Sequence, residues 1–319
     1  MRANRETVLC RALMLALALV PPVTAYLHQP FYADVLARIM IFAIAAVSLN
    51  FILGFGGMVS FGHAAFLGIG AYVVGLSLAN GLDNGFAHLA LVVAVSAAAA
   101  FVIGAICLRT SGLYFIMITL ALAQLLYFLG VGLKQYGGDD GFTFRGRSNF
   151  GAWLPLGNDV MLYYVIWAVL ALSLFLIGRF VEARFGMALR GTRSNERRMR
   201  SLGLPTYRYK LAAFVIASIL CAVAGALLAN LTQFVSPAYM HWTRSGELLI
   251  MVIMGGMGSV FGPVLGAALY LLLEEVLSSF TEHWQVILGP ILVLLVFFAR
   301  GGLAQLWRTE RPARGAHHG

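Results

Sequence analysis

Apolar residues run in long unbroken blocks along this chain, without the polar face of an amphipathic helix or the alternation of a strand. Ten blocks stand out, at roughly 8–27, 34–54, 60–79, 87–108, 113–133, 159–181, 211–231, 246–258, 263–281 and 285–300. A membrane-crossing helix needs about 20 apolar residues, fewer when a bundle encloses it. The pattern therefore predicts an all-α fold, a polytopic transmembrane bundle of about 10 helices, with a lower bound of about eight because the 246–258 block is short and glycine-rich. Polar residues collect in the gaps. Residues 134–158 contain Gly137, Gly138, Asp139, Asp140 and Gly141 and read as turns. Residues 182–210 form a second long gap, strongly basic.

The placement of cations orients the bundle. With the N-terminus inside and ten alternating crossings, seventeen of the 22 lysines and arginines fall on the inner side. Lys134, Arg145, Arg147 and Arg244 fall outside, and Arg38 lies near the outer end of the second span. Cytoplasmic loops concentrate positive charge, so both termini are expected in the cytoplasm. The net charge of +9 is then a topology signal and calls for no nucleic-acid partner. Arg2, Arg5 and the run Leu13–Val20 resemble a signal peptide, but Pro21-Pro22 interrupts the apolar run and no small-residue cleavage site follows. A retained first membrane helix is expected.

Composition agrees. The chain is 61% hydrophobic and 11% charged, whereas soluble domains carry about 25% charged residues. Lipid must cover the difference. Cys10, Cys107 and Cys221 sit in apolar stretches without metal-ligand spacing, and the histidines are scattered or terminal, so no metal site is expected.

The residues capable of chemistry argue against self-powered transport. A phosphate-binding loop requires Gly-x-x-x-x-Gly-Lys-Ser/Thr, and neither Lys134 nor Lys210 stands in that context. Ion-coupled carriers place ionisable groups at mid-membrane, yet Asp34, Arg38, Glu247, Glu274, Glu275 and Glu282 all fall near span ends or the outer face. Asn50, Ser60, His63, Thr119, Gln124 and Asn230 are the polar candidates for lining a path; the alternative for each is an interhelical hydrogen bond. His63 and Ser60 lack the orienting group and oxyanion device of a hydrolase. The stretch Gly56 to Gly62 is echoed by Gly255 to Gly262, with Gly57 and Gly256 in the second place of each, and both copies fall at the inner face. They read either as an internal repeat or as close-packing glycines.

The basic gap predicts a helix ended by Gly203 and kept from continuing by Pro205. Phe185, Thr192 and Met199 share one face, and Arg190, Arg193, Arg197 and Arg200 the adjoining one; Glu196 is spaced to pair with Arg193 or Arg200. Such a helix either docks into a cytosolic partner or lies on anionic lipid.

Four stretches carry a resemblance. The run from Leu49-Asn50-Phe51 through Gly56-Gly57-Met58-Val59-Ser60-Phe61-Gly62-His63 to Tyr72 is similar to the glycine-rich second-to-third helix segment of permeases in high-affinity branched-chain amino acid ABC importers. Phe185–Gly203, Tyr209–Leu227 and Gly255–Ala267 agree with it. The resemblance spans about residues 34–300 and is closest to the M-type of the two permeases that such importers pair. It implies a second homologous permease as heterodimer partner, two cytosolic ATPase subunits and a periplasmic substrate-binding protein, in the bacterial inner membrane. ATP would be used by the partners; this chain would bind no cofactor and catalyse no covalent step. The residues Arg190, Arg193, Glu196, Arg197, Arg200 and Gly203 would belong to the ATPase-coupling loop, which tips the basic helix toward docking. The resemblance also implies a division into residues 1–33, an N-terminal tail and first membrane helix; 34–300, the permease domain with its coupling loop 182–210; and 301–319, a basic cytoplasmic tail. Arg197, Arg198 and Met199 follow the loop glutamate where many importers have alanines. Urea and short-chain amide importers use similar permeases, so they stand as an alternative, as does a self-contained channel or ion-driven carrier.

Overall fold

The computed structural model describes residues 3–22, 31–151, 156–281 and 283–298. The end of the first predicted span, Glu282 and the basic tail 301–319 lie outside them. Every predicted span contains a helix: α1 (Ala3–Ala18), α2 (Phe31–Asn50), α3 (His63–Ala79), α4 (Gly85–Cys107), α5 (Leu113–Gly132), α6 (Asp159–Glu182), α8 (Thr206–Thr232), α9 (Trp242–Gly255), α10 (Gly262–Phe280) and α11 (Trp284–Phe298). The basic gap supplies α7 (Arg184–Ser201). Among the described residues, α2 with its extension to Phe55, α4, α5, α6, α8 and α10 are long and apolar enough to cross a membrane.

Two helices form the axis of the bundle. Of the apolar window of α2, 83% is buried, against 22% for α4 and for α5. α8 packs on α2, α3, α4 and α7. In lipid, apolarity does not separate inside from outside; small residues that permit close approach do. On α4 the buried positions are Gly85, His88, Val92, Ser96, Ala100, Gly104 and Cys107, one stripe at three- and four-residue spacing. The opposite face carries exposed Phe101, Val102 and Ile106. α3 and α8 cross by reciprocal glycines. A Cβ on Gly70 would collide with the Ala222 carbonyl, and one on Gly225 with the Leu67 carbonyl.

α1 is held by α6 through the defect its prolines create. Pro21 and Pro22 have no N–H, so the Leu17 and Ala18 carbonyls lose their helical donors. The Tyr163 hydroxyl donates to Leu17 O at 2.9 Å and the Tyr164 hydroxyl to Ala18 O at 3.3 Å. At the end of the bundle away from α7, β1 (Phe142–Thr143) pairs antiparallel with β2 (Phe234–Val235). The sequence predicts only turns there, since a two-residue ladder leaves no periodic signal.

At the basic end the two glycine-rich segments meet. α2 passes into a π turn, Phe51–Phe55; such turns recur at functional sites. Gly57 (φ +69°) reverses the chain, and the Gly62 N–H donates to Ser60 Oγ at 3.3 Å just before α3. The second segment makes the same move: Gly256 (φ +107°) reverses it, and the Gly262 N–H donates to Ser259 Oγ at 3.0 Å as α10 starts. Asn50 brackets the pair. Its amide donates to Ser259 O at 2.7 Å, and its Oδ1 accepts from Gly258 N at 3.2 Å. A Cβ on Gly54 would lie 2.7 Å from Gly258 N, so only glycine permits this approach.

Two stability tests follow from this packing. Gly225→Val should abolish a monodisperse folded species by fluorescence-detected size exclusion, because overpacking against backbone costs on the order of 3 kcal/mol or more. Gly178→Val, where nothing lies within 4 Å of the new Cβ, should leave the profile unchanged. Asn50→Leu strands a buried donor and a buried acceptor, each costing about 1–3 kcal/mol; a thermal-unfolding midpoint in detergent should drop by several degrees.

Candidate functional site: a glycine-walled cavity and its basic clamp

The bracketed loops line a cavity of about 420 Å³. Gly56, Gly57, Met58 and Val59 of the first segment and Met257 of the second form one wall. The α4–α5 turn contributes Thr110, Ser111 and Gly112, and α5 adds Phe115 and Ile116. Thr192 and Arg193 of α7, Lys210 of α8 and the apolar Leu53 and Leu108 complete the lining. The volume falls within the roughly 300–1,000 Å³ of small-molecule sites. The surface mixes apolar groups, hydroxyls and two cations, with no carboxylate.

Both cations are tethered. The Arg193 guanidinium donates to the Gly54 carbonyl. Lys210 donates to Glu196 Oε2, while Glu196 Oε1 accepts from Arg200 at 2.6 Å and from the buried Thr206 hydroxyl at 3.2 Å. Burial of Glu196 works against its charged form. The hydrogen bonds from Lys210 and Arg200 outweigh this and hold its carboxyl below the usual value of 4.5. A depressed carboxyl contributes its stabilisation above the unfolded pKa and loses it as pH falls through the folded one. The clamp is therefore complete at neutral pH.

α7 departs from the single helix expected of it. Asn195 (φ −158°, ψ 98°) breaks it, and the Asn195 Oδ1 accepts from the Arg198 N–H at 3.0 Å, capping a second short helix. The spacing rule that allowed Glu196 to pair with Arg193 assumes unbroken helix; the break leaves Arg200 as its partner. Gly203 (φ +80°) ends the second helix, with its own N–H on Arg200 O and the Leu204 N–H on Met199 O, a Schellman turn.

The other expected residues divide by environment. Arg190 turns back to α6, donating to Val181 O at 3.1 Å. Arg197 and Arg198 are exposed, as is Leu202 (69%), an apolar knob at the tip that no periodicity singles out. Of the path candidates, Asn50, Ser60, His63 and Thr119 come together around the first glycine segment, and all are buried. Thr119 Oγ1 accepts from Phe61 N at 3.2 Å and donates to Ile116 O. Ser48 gives its proton to Ala45 O, so His63 Nε2–H donates to Ser48 Oγ at 2.8 Å. Gln124 is half-buried on α5, five residues beyond Thr119. Asn230 lies at the opposite end, where it accepts from Ser148 N and donates to Ala226 O, both at 2.8 Å. None of the six lines the cavity. Thr110, Ser111 and Thr192 supply its hydroxyls; the sequence places Thr192 on the Phe185 and Met199 face of the basic gap, while Thr110 and Ser111 carry no signal beyond a short turn between two spans. The glycines Gly56, Gly62, Gly255 and Gly262 each have backbone where a Cβ would stand.

Comparison with known proteins agrees with this architecture. The family described as branched-chain amino acid transport system / permease component matches residues 31–297. The high-affinity branched-chain amino acid transport system permease protein LivM of Salmonella typhimurium is 30% identical over 96% of this chain and 77% of its own length. LivM of Escherichia coli is 31% identical over 87% of this chain and 71% of its own. The permease protein LivH of Escherichia coli is 24% identical over 82% of this chain and 90% of its own. No solved structure matches. A polytopic helix bundle, two glycine-rich reversals around a cavity and these matches along nearly the whole chain lead to one assignment: the protein belongs to the branched-chain amino acid transport permease family.

Proposed function

We propose that this chain is the M-type permease of an ABC importer and carries branched-chain amino acids into the cytoplasm. The observation that supports this best is the cavity of about 420 Å³ beside the joined glycine segments, with the docking segment alongside it. A branched-chain amino acid is a small zwitterion with an apolar side chain. A wall of Met58, Val59, Phe115 and Met257 beside hydroxyls and fixed cations suits it. The LivM relatives carry that substrate class in their names, which favours it over urea or short-chain amides.

The basic end is the cytoplasmic one, by the bias of seventeen inner cations to four outer, with both termini on that side of the bacterial inner membrane. A second, LivH-like permease pairs with this chain. Two cytosolic ATPases do the hydrolysis, and a periplasmic binding protein delivers the amino acid. The ATPase docks on the short helix after Asn195, through exposed Arg197, Arg198 and Leu202; an apolar anchor in a charged rim is the usual form of a tight contact. Glu196 faces inward and fixes that helix to α8. ATP-driven closure of the ATPases then moves the helix and, through the clamp, the cavity wall.

Vesicles holding this chain, its neighbouring permease, the ATPases and the binding protein should take up labelled leucine and valine only with ATP. Uptake of urea alone, or ATP-independent uptake by this chain alone, would contradict the proposal. Leu202→Glu should insert normally but lower recovery of the ATPases on the purified permease roughly tenfold, the effect of about 1.4 kcal/mol at an interface. Wild-type recovery would remove Leu202 from the contact.

A further inference from the structure

The short docking helix and the cavity are linked twice, and the two links differ in kind. Glu196 ties the helix to α8, which is already fixed by α2, α3 and α4. Arg193, two residues before the break at Asn195, reaches across to the other wall. Its guanidinium donates to the Gly54 carbonyl, 139 residues away in sequence. Gly54 lies in the π turn, where α2 leaves carbonyls without helical donors. A cation at a helix C-terminus also meets the negative end of the helix dipole. The stem of Arg193 lies on Gly57: a Cβ there would stand 2.8 Å from Arg193 Cγ. Gly57 also reverses the chain into the cavity wall, at φ +69°. Arg193 thus touches the turn at two points, and it lines the cavity itself.

We propose that Arg193 is the strut that carries movement of the docking segment into the glycine-lined cavity wall, a positioning residue for transport and not an ATPase contact. The break at Asn195 separates the two tasks, leaving Arg197, Arg198 and Leu202 to dock while Arg193 holds the π turn. Because Gly54 also abuts Gly258, a displacement at Arg193 reaches both glycine segments. The proposal rests on the docking reading given above.

The test compares Arg193→Gln, Arg193→Lys and Arg184→Gln in the complete complex with its second permease, ATPases and binding protein in proteoliposomes. ATPase recovery, binding-protein-stimulated hydrolysis and leucine uptake are measured together. Arg193→Gln should retain the ATPases and continue to hydrolyse, with leucine moved per ATP falling roughly tenfold, within the range of mutations along a coupled network. Arg193→Lys keeps a charged donor and should recover most of that ratio, and Arg184→Gln, at an exposed position on the same helix, should leave it unchanged. An unchanged ratio in Arg193→Gln, loss of the ATPases from it, or a lysine variant no better than the glutamine one would each overturn the strut. A wild-type complex that captures no ATPase would instead overturn the docking reading, before any variant is compared.

Discussion

The fold at its basic end depends on one backbone-to-backbone contact, Gly54 against Gly258, bracketed by the Asn50 side chain. Without side chains between them, two chain reversals share one layer, and α2, α3, α9 and α10 are tied together where they turn. The bracket is economical in hydrogen bonds. One buried amide satisfies a carbonyl and an N–H that the reversals leave over, and unmet polar groups in such a place are costly. The cavity lies between this layer and α5, α7 and α8.

Lipid as a solvent explains how the rest is arranged. α4 is as apolar as any span, yet it is among the least buried. Its packing face is chosen by small residues, from Gly85 to Cys107. Polar side chains serve mostly as fasteners. Tyr163 and Tyr164 serve the carbonyls that Pro21 and Pro22 release, Thr119 serves the first glycine segment, and Asn230 secures the far loop. Burial of a polar group in this bundle therefore marks a joint more often than a path.

That balance also decides what could be read from the chain. Apolar block length was sufficient to place the spans, and the glycine echo was visible as two similar stretches. Their meeting was not, because it depends on Asn50 reaching more than 200 residues along the chain. The path candidates were chosen by polarity within the spans, and the hydroxyls that line the cavity lie outside them, Thr110 and Ser111 in a short turn and Thr192 in the basic gap. In α7 the arginines were legible as a basic face. Their division was not: Arg193, Arg197 and Arg198 are all exposed, and what sets Arg193 apart is its contact with the Gly54 carbonyl on the near side of the break at Asn195. Helical spacing carries no information across such a break.

The central claim is that the cavity wall and the docking segment form one mechanical unit. Hydrogen–deuterium exchange of the complete importer, nucleotide-free and trapped with ATP, tests it most directly. The account predicts that peptides covering 54–62 and 255–262 change protection together with 193–204. A change confined to 193–204, with both glycine segments unaltered, would contradict it.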